Sequence, residues 1–249
     1  MQTSINPKAF ARLTFLTIFG LLFALLIPAQ SVPAQGGLLL VVTVMFGGTV
    51  WTLTSMAAAR RQRLMDAVRL ELNKLRRLYH VSKNLSGISA EYRPWFTDLH
   101  GHIYKYLTEF TNKDFDAYDA HNKFFREISY HVYTIPPIQG VKEQSLFEDL
   151  LRTTATVAEA RQQIKELWDN RLSFHVWLMV LLGAAMLFVA VSQTMPGDPA
   201  SRLVGGCGLA AALLALDYLW KTDSLASEKA SLPKRYVENL AKFELGRRD

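Results

Sequence analysis

Hydrophobic and polar positions follow two regimes along this chain. Near both ends lie runs almost free of charge; between residues 60 and 171 apolar residues recur at helical spacing among many charges. Four runs fit the first regime. The first, "LTFLTIFGLLFALLI" (13–27), reaches the ~20 residues a spanning helix needs only with Phe10, Ala11 and a snorkelling Arg12. The second covers residues 36–59, the third 172–194 and the fourth 203–220. In the second regime Leu64, Val68, Leu72, Leu75 and Tyr79 recur at steps of four and three, an amphipathic helical stripe. No proline or glycine separates Trp51 from Leu75, so nothing stops the helix of the second span from continuing into this stripe.

The middle segment continues as helices. Gly87 interrupts the first, and Pro94 suits the opening turn of a second, "PWFTDLHGHIYKYLTEF". A third, "AYDAHNKFFREISYHVYTI", is ended by Pro136 and Pro137. A fourth occupies residues 142–170 and is expected to have the option of running on into the third span. No persistent period-two alternation appears, so the expected fold class is all-α. It is a polytopic membrane protein with four transmembrane helices and a cytoplasmic helical bundle between the second and third. The expected segments are a transmembrane pair (1–59), the bundle (60–171), a second pair (172–220) and a basic cytoplasmic tail (221–249).

Charge sets the orientation. Lys8 and Arg12 precede the first span; Arg60, Arg61 and Arg63 follow the second; Arg171 precedes the third; Lys221, Lys229, Lys234 and Arg235 follow the fourth. The two connecting loops are neutral overall, so the positive-inside bias puts both termini and the bundle in the cytoplasm. A cleaved leader ending before Gln35 is the alternative, leaving three spans. The chain has 249 residues, a formal charge of +6 and a charged fraction of only 20%. Its pI near 9.4 and mean hydropathy of +0.08 fit a mixture of spans and polar domain. The basic cluster Arg60, Arg61 and Arg63 reads as a contact with anionic headgroups, each cation gaining about 1 kcal/mol there, rather than with nucleic acid. The single cysteine, Cys207, excludes an intrachain disulfide and is expected to be a buried thiol.

Candidate chemistry is sparse. His100 and His102 are two residues apart, which puts their rings on different helix faces, so no metal site is expected. Asp114, Asp116 and Asp119 lack the glycine and closing glutamate of a calcium loop and read as a helix start. With no phosphate loop and no nucleophile elbow, neither an enzyme nor a cofactor is expected. Two intramembrane features remain. Asp217, in the last turn of the fourth span, needs a partner; Lys221, Arg171 and His175 are the candidates. A salt bridge fixing the fourth span is the plainer reading, a transport role the sharper one. On the second span Thr43, Gly47, Val50 and Thr54 share one small, weakly polar stripe, and Gly48, Thr52, Ser55 and Ala59 share the next. Small faces pack helices closely, and hydroxyl-bearing faces line pores. The "GGCG" of the fourth span, with Ala211 and Ala212, is a packing face.

Two spans, a helical segment and two more spans resemble the bestrophin-like membrane protein family of bacteria. The residues that carry the resemblance are "RLELNKLRRLYHVSKNL", "RPWFTDLHGHIYKYL", "EARQQIKELWDNRLSFHVWLMVLLGAAM", and "LDYLW" followed by "SLPKRYVENL". The family commonly follows its last Leu-Asp with Arg-Pro-Phe, where Tyr218 and Leu219 stand here. The resemblance implies a multi-pass protein of a bacterial inner membrane. By analogy with the bestrophin anion channels it implies a pentamer whose pore candidates are Thr43, Gly47, Val50 and Thr54. The expected function is a homo-oligomeric ion channel, anion-conducting, in an anionic bilayer. The alternative is a non-conducting scaffold or sensor whose bundle docks a protein partner.

Overall fold

The computed structural model describes residues 7–26, 36–112, 115, 118, 122–194 and 198–245, with side chains at most of these. Eight helices are present among them: α1 (Pro7–Leu26), α2 (Gly36–Ile88), α3 (Tyr92–Asn112), α4 (Asn122–Tyr133), α5 (Val141–Asp169), α6 (Phe174–Thr194), α7 (Pro199–Asp223) and α8 (Ala226–Leu245). No strand occurs among the described residues. The chain divides into two compact units, residues 1–59 with 171–224, and residues 60–170 with 225–249. The division in α2 falls between Ala59 and Arg60, where lipid-suited residues give way to arginines, and the helix continues through it unbroken.

In the first unit α2, α6 and α7 are long and apolar enough to cross a membrane, while α1 is a shorter apolar helix over Ala11–Leu26. Small residues bring α1 and α7 together. A methyl added at Gly20 would lie 2.8 Å from the backbone nitrogen of Ala210, and one at Gly206 would lie 3.1 Å from the Ala24 methyl. Backbones approach this closely only where side chains are absent, so the "GGCG" packing face is real on its Gly206 side. Cys207, one residue further round α7, is exposed and not the buried thiol expected, because the packed face comprises Gly206, Leu209 and Ala210. A second apolar cluster joins α2, α6 and α7 through Phe46, Val50, Ala57, Val180, Ala184 and Leu219. The ends are capped locally. Asp198 accepts a hydrogen bond from the Ser201 N–H at 2.8 Å with Pro199 in the first turn of α7. Asp223 accepts from the Leu172 N–H at 3.0 Å and the Trp177 indole at 3.3 Å, tying the start of α6 to the end of α7.

The second unit is a helical bundle around one core that includes Leu64, Leu75, Leu85, Leu99, Ile128, Val157 and Ile164. Trp95 on α3 donates its indole N–H to the His131 carbonyl at 2.9 Å and stacks on that ring, pinning α4. Glu143 caps α5: it accepts from the Gly140 N–H at 2.9 Å and the Gln139 N–H at 3.0 Å, and those bonds hold its carboxyl below the usual range.

Two boundaries differ from those the sequence suggests. The helix of residues 142–170 does not run on into the next: α5 ends at Asp169, and the Arg60 guanidinium sits on the C-cap carbonyl of Asn170, where a cation meets the negative end of the helix dipole. The segment after residue 221 is not a separate tail. It forms α8, whose Leu232 and Tyr236 are buried in the bundle core at helical spacing. Of the helix placed on residues 117–135, α4 covers Asn122–Tyr133, and Asp114, Asp116 and Asp119 lie outside the described residues.

Candidate functional site

The stripe Thr43, Gly47, Val50 and Thr54 does not act as one surface. Val50 is buried against α6 and α7, Thr54 is half-buried, and only Thr43 and Gly47 are exposed. At 100° per residue the packed side of α2 centres on Phe46, Val50 and Ala57. Gly48, Ser55 and Ala59 then fall diametrically opposite, with Thr52 beside them, and all four are exposed. Methyl groups at Gly47 or Gly48 would meet nothing within 4 Å. Thr52 donates its hydroxyl to the Gly48 carbonyl at 2.9 Å, which satisfies it inside its own helix. The uncovered small and hydroxyl-bearing face of α2 is therefore the second stripe, flanked by the first.

Asp217 is nearly fully buried and holds two cations. Lys221, one turn on, lies 2.6 Å from Oδ2. Arg12 of α1 lies 2.5 Å from Oδ1, an ion pair without hydrogen-bond geometry. The Arg12 guanidinium also covers the Trp220 ring at 5.1 Å. Arg171 and His175 are exposed and are not its partners; Arg12 of α1 takes the place beside this turn of α7. With an oxygen facing each cation, the cluster locks α1 to α7.

Of the three arginines that follow the apolar part of α2, Arg61 lies 2.5 Å from buried Glu228, which also accepts from the Ser227 hydroxyl at 2.7 Å. Arg60 holds the α5 C-cap, and Arg63 is exposed. Arg60 and Arg61 thus organise the bundle.

The bundle also holds a polar site absent from any reading of the sequence. Glu71, fully buried on α2, receives four donors. Tyr106 of α3 and the Arg161 guanidinium of α5 (3.4 Å) meet Oε1; Tyr118 (3.1 Å) and Tyr236 of α8 (2.6 Å) meet Oε2. Arg161 also donates to the Tyr106 hydroxyl and lies over the rings of Tyr106, Tyr118 and Phe125 at 4.8–5.1 Å. Burial, and next the Glu71 charge, push all three tyrosine hydroxyls well above their usual range. These groups keep their protons and act as donors. A carboxylate with every lone-pair direction occupied is a poor general base, so the arrangement fixes geometry rather than performing chemistry. Glu71, Leu64, Val68, Leu75, Leu78, Ser82 and Leu85 share one stripe at steps of four and three, and a charge on such a stripe was the available signal.

Among the described residues no group of three or more His, Cys, Asp or Glu side chains is placed to hold a metal ion. His102 lies 3.4 Å from Glu127 and beside His131, whose Nε2 bonds the Trp95 carbonyl oxygen at 2.9 Å. No family model, no curated protein and no solved structure matches the chain.

Proposed function

We propose that the chain forms a homo-oligomeric channel of a bacterial inner membrane that conducts anions, with α2 of each copy turned toward the axis. The observation that carries this reading is the uncovered face of α2. Gly48, Thr52, Ser55 and Ala59 lie opposite the side that packs on α6 and α7, and all four are exposed among the described residues. Small residues allow copies to approach, and hydroxyls offer a weakly polar wall. The helix then passes without a break into a stretch where Arg60 and Arg61 are held in the bundle and the exposed Arg63 would raise local anion concentration. Four spans with both termini cytoplasmic, α1 being the first, belong to this proposal, as does the bestrophin-like layout and its pentamer.

Purified protein in a planar bilayer should pass chloride. Ser55→Trp, on the uncovered face, should cut that current, and Met179→Trp, exposed on α6, should leave it unchanged. Silence for anions and cations across a range of voltages overturns the reading.

A second reading is a non-conducting scaffold whose bundle docks a partner. Tyr130 and Tyr133 favour it, standing 73% and 66% exposed on α4. A stoichiometric partner lost on Tyr130→Asp, with no conductance, would select it.

A further inference from the structure

The bundle unit contains a cationic groove between α2 and α8 that the channel reading does not use. It encloses about 490 Å³, and its charged lining consists of Arg69 and Arg76 from α2 and Lys234, Arg235 and Glu238 from α8. Four cations thus face one carboxylate. Asp66, outside the groove, lies 3.2 Å from Arg69. Among the described residues no acidic side chain pairs with Arg76, Lys234 or Arg235.

The cations are held apart by more than chance. Asn239 accepts a hydrogen bond from Arg76 Nη2 at 2.8 Å, and its own amide donates to the Arg235 carbonyl at 2.9 Å. One amide therefore sets the plane of the Arg76 fork and ties it to the turn that presents Arg235. Like charges gathered in one concavity repel, and a fold keeps them there at a cost that an anionic ligand removes. Guanidinium forks suit the paired oxygens of a phosphate better than a spherical anion. With Glu238 in the lining and Asp66 on Arg69, the surplus is about two positive charges, which a phosphate dianion matches.

We infer that this groove binds an anion carrying two or more phosphate charges, either a soluble di- or polyphosphate or the phosphomonoester headgroup of a lipid. Arg76 and Arg235 grip it, Arg69 and Lys234 add charge, and Asn239 is a positioning residue. The inference does not depend on α2 lining a pore.

The test uses the full chain in nanodiscs, with inorganic pyrophosphate as probe and calorimetry as readout. In discs of zwitterionic lipid pyrophosphate should bind, and Arg76→Gln and Arg235→Gln should each weaken it about tenfold or more. Arg93→Gln, which removes an exposed cation on α3, should leave it unchanged. Unfolding temperatures without pyrophosphate establish that each variant is folded. Discs with phosphatidate and discs with phosphatidylglycerol at matched charge then separate the sources. Competition by phosphatidate alone assigns the groove to a lipid headgroup; its absence assigns it to a soluble phosphate. No pyrophosphate binding in any disc overturns the inference, as does an equal loss in Arg93→Gln, which would mean unspecific charge attraction.

Discussion

Replacing Glu71 by glutamine keeps the shape of the side chain and removes its charge. In the native bundle four donors converge on the two carboxylate oxygens, two on each. An amide retains one accepting oxygen, so two donors lose their acceptor and meet an NH2 group instead. Arg161, only 6% exposed, also loses its counter-charge. Breaking a buried ion pair from one side costs about 3–5 kcal/mol, a figure that includes the orphaned hydrogen bonds. Because α2, α3, α5 and α8 all contribute to the cluster, the loss should appear across the bundle. Amide hydrogen exchange of the full chain in detergent, read by mass spectrometry, resolves this. At about 1.4 kcal/mol per factor of ten, the amides of α3 and α8 should exchange roughly 10²- to 4 × 10³-fold faster, with α6 and α7 unaffected. Glu71→Leu with Arg161→Leu together should cost less than Glu71→Leu alone, since no buried charge is left unpaired. Unchanged exchange in α3 and α8, or a double variant worse than the sum of the singles, would refute the reasoning.

Alkaline pH should loosen the same unit. The hydroxyls of Tyr106, Tyr118 and Tyr236 titrate above their unfolded value of about 10, so the stability they confer is complete below pH 10 and falls as pH rises beyond it. With three protons released on unfolding, the slope approaches about 4 kcal/mol per pH unit. Tyrosinate absorbance should show these three ionising only as the bundle unfolds; independent titration near pH 10 in a folded protein would contradict this. Gly20→Leu should drive α1 off α7, since even its Cβ would lie 2.8 Å from the Ala210 backbone nitrogen. Overpacking of this kind costs about 1–3 kcal/mol or more, so amide exchange in α1 should rise in Gly20→Leu and stay unchanged in Gly208→Leu, where an added Cβ meets nothing within 4 Å.

Hydrophobic pattern made the helices legible, because burial in lipid or in a bundle writes the period directly into the residues. The change from apolar to arginine-rich sequence at Ala59 and Arg60 was equally plain, and the division of the chain into units falls there. What the pattern hid were polar residues on buried stripes. Glu71 follows Val68 by three and precedes Leu75 by four, and Arg161 stands likewise between Val157 and Ile164. Their neighbours are apolar, but the partnership spans ninety residues of chain, and no local rule connects the two. Asp217 shows the same limit. Its need for a cation was readable, and Lys221 lies on its own helix, but Arg12 became its partner through the packing of α1 on α7, which depends on Gly20 and Gly206. The stripe of Thr43, Gly47, Val50 and Thr54 is divided in the fold because sequence gives the faces of a helix without saying which neighbour takes which. Val50 went to α6 and α7.

The most direct test of the account asks what lies against the uncovered face of α2 in a native membrane. In a Cys207→Ser background, a cysteine placed at Ser55 should cross-link one copy of the chain to another under mild oxidation, and one placed at Met179 should not. Monomer alone from Ser55→Cys, with oligomer from Met179→Cys, would contradict the claim that α2 turns toward its own copies.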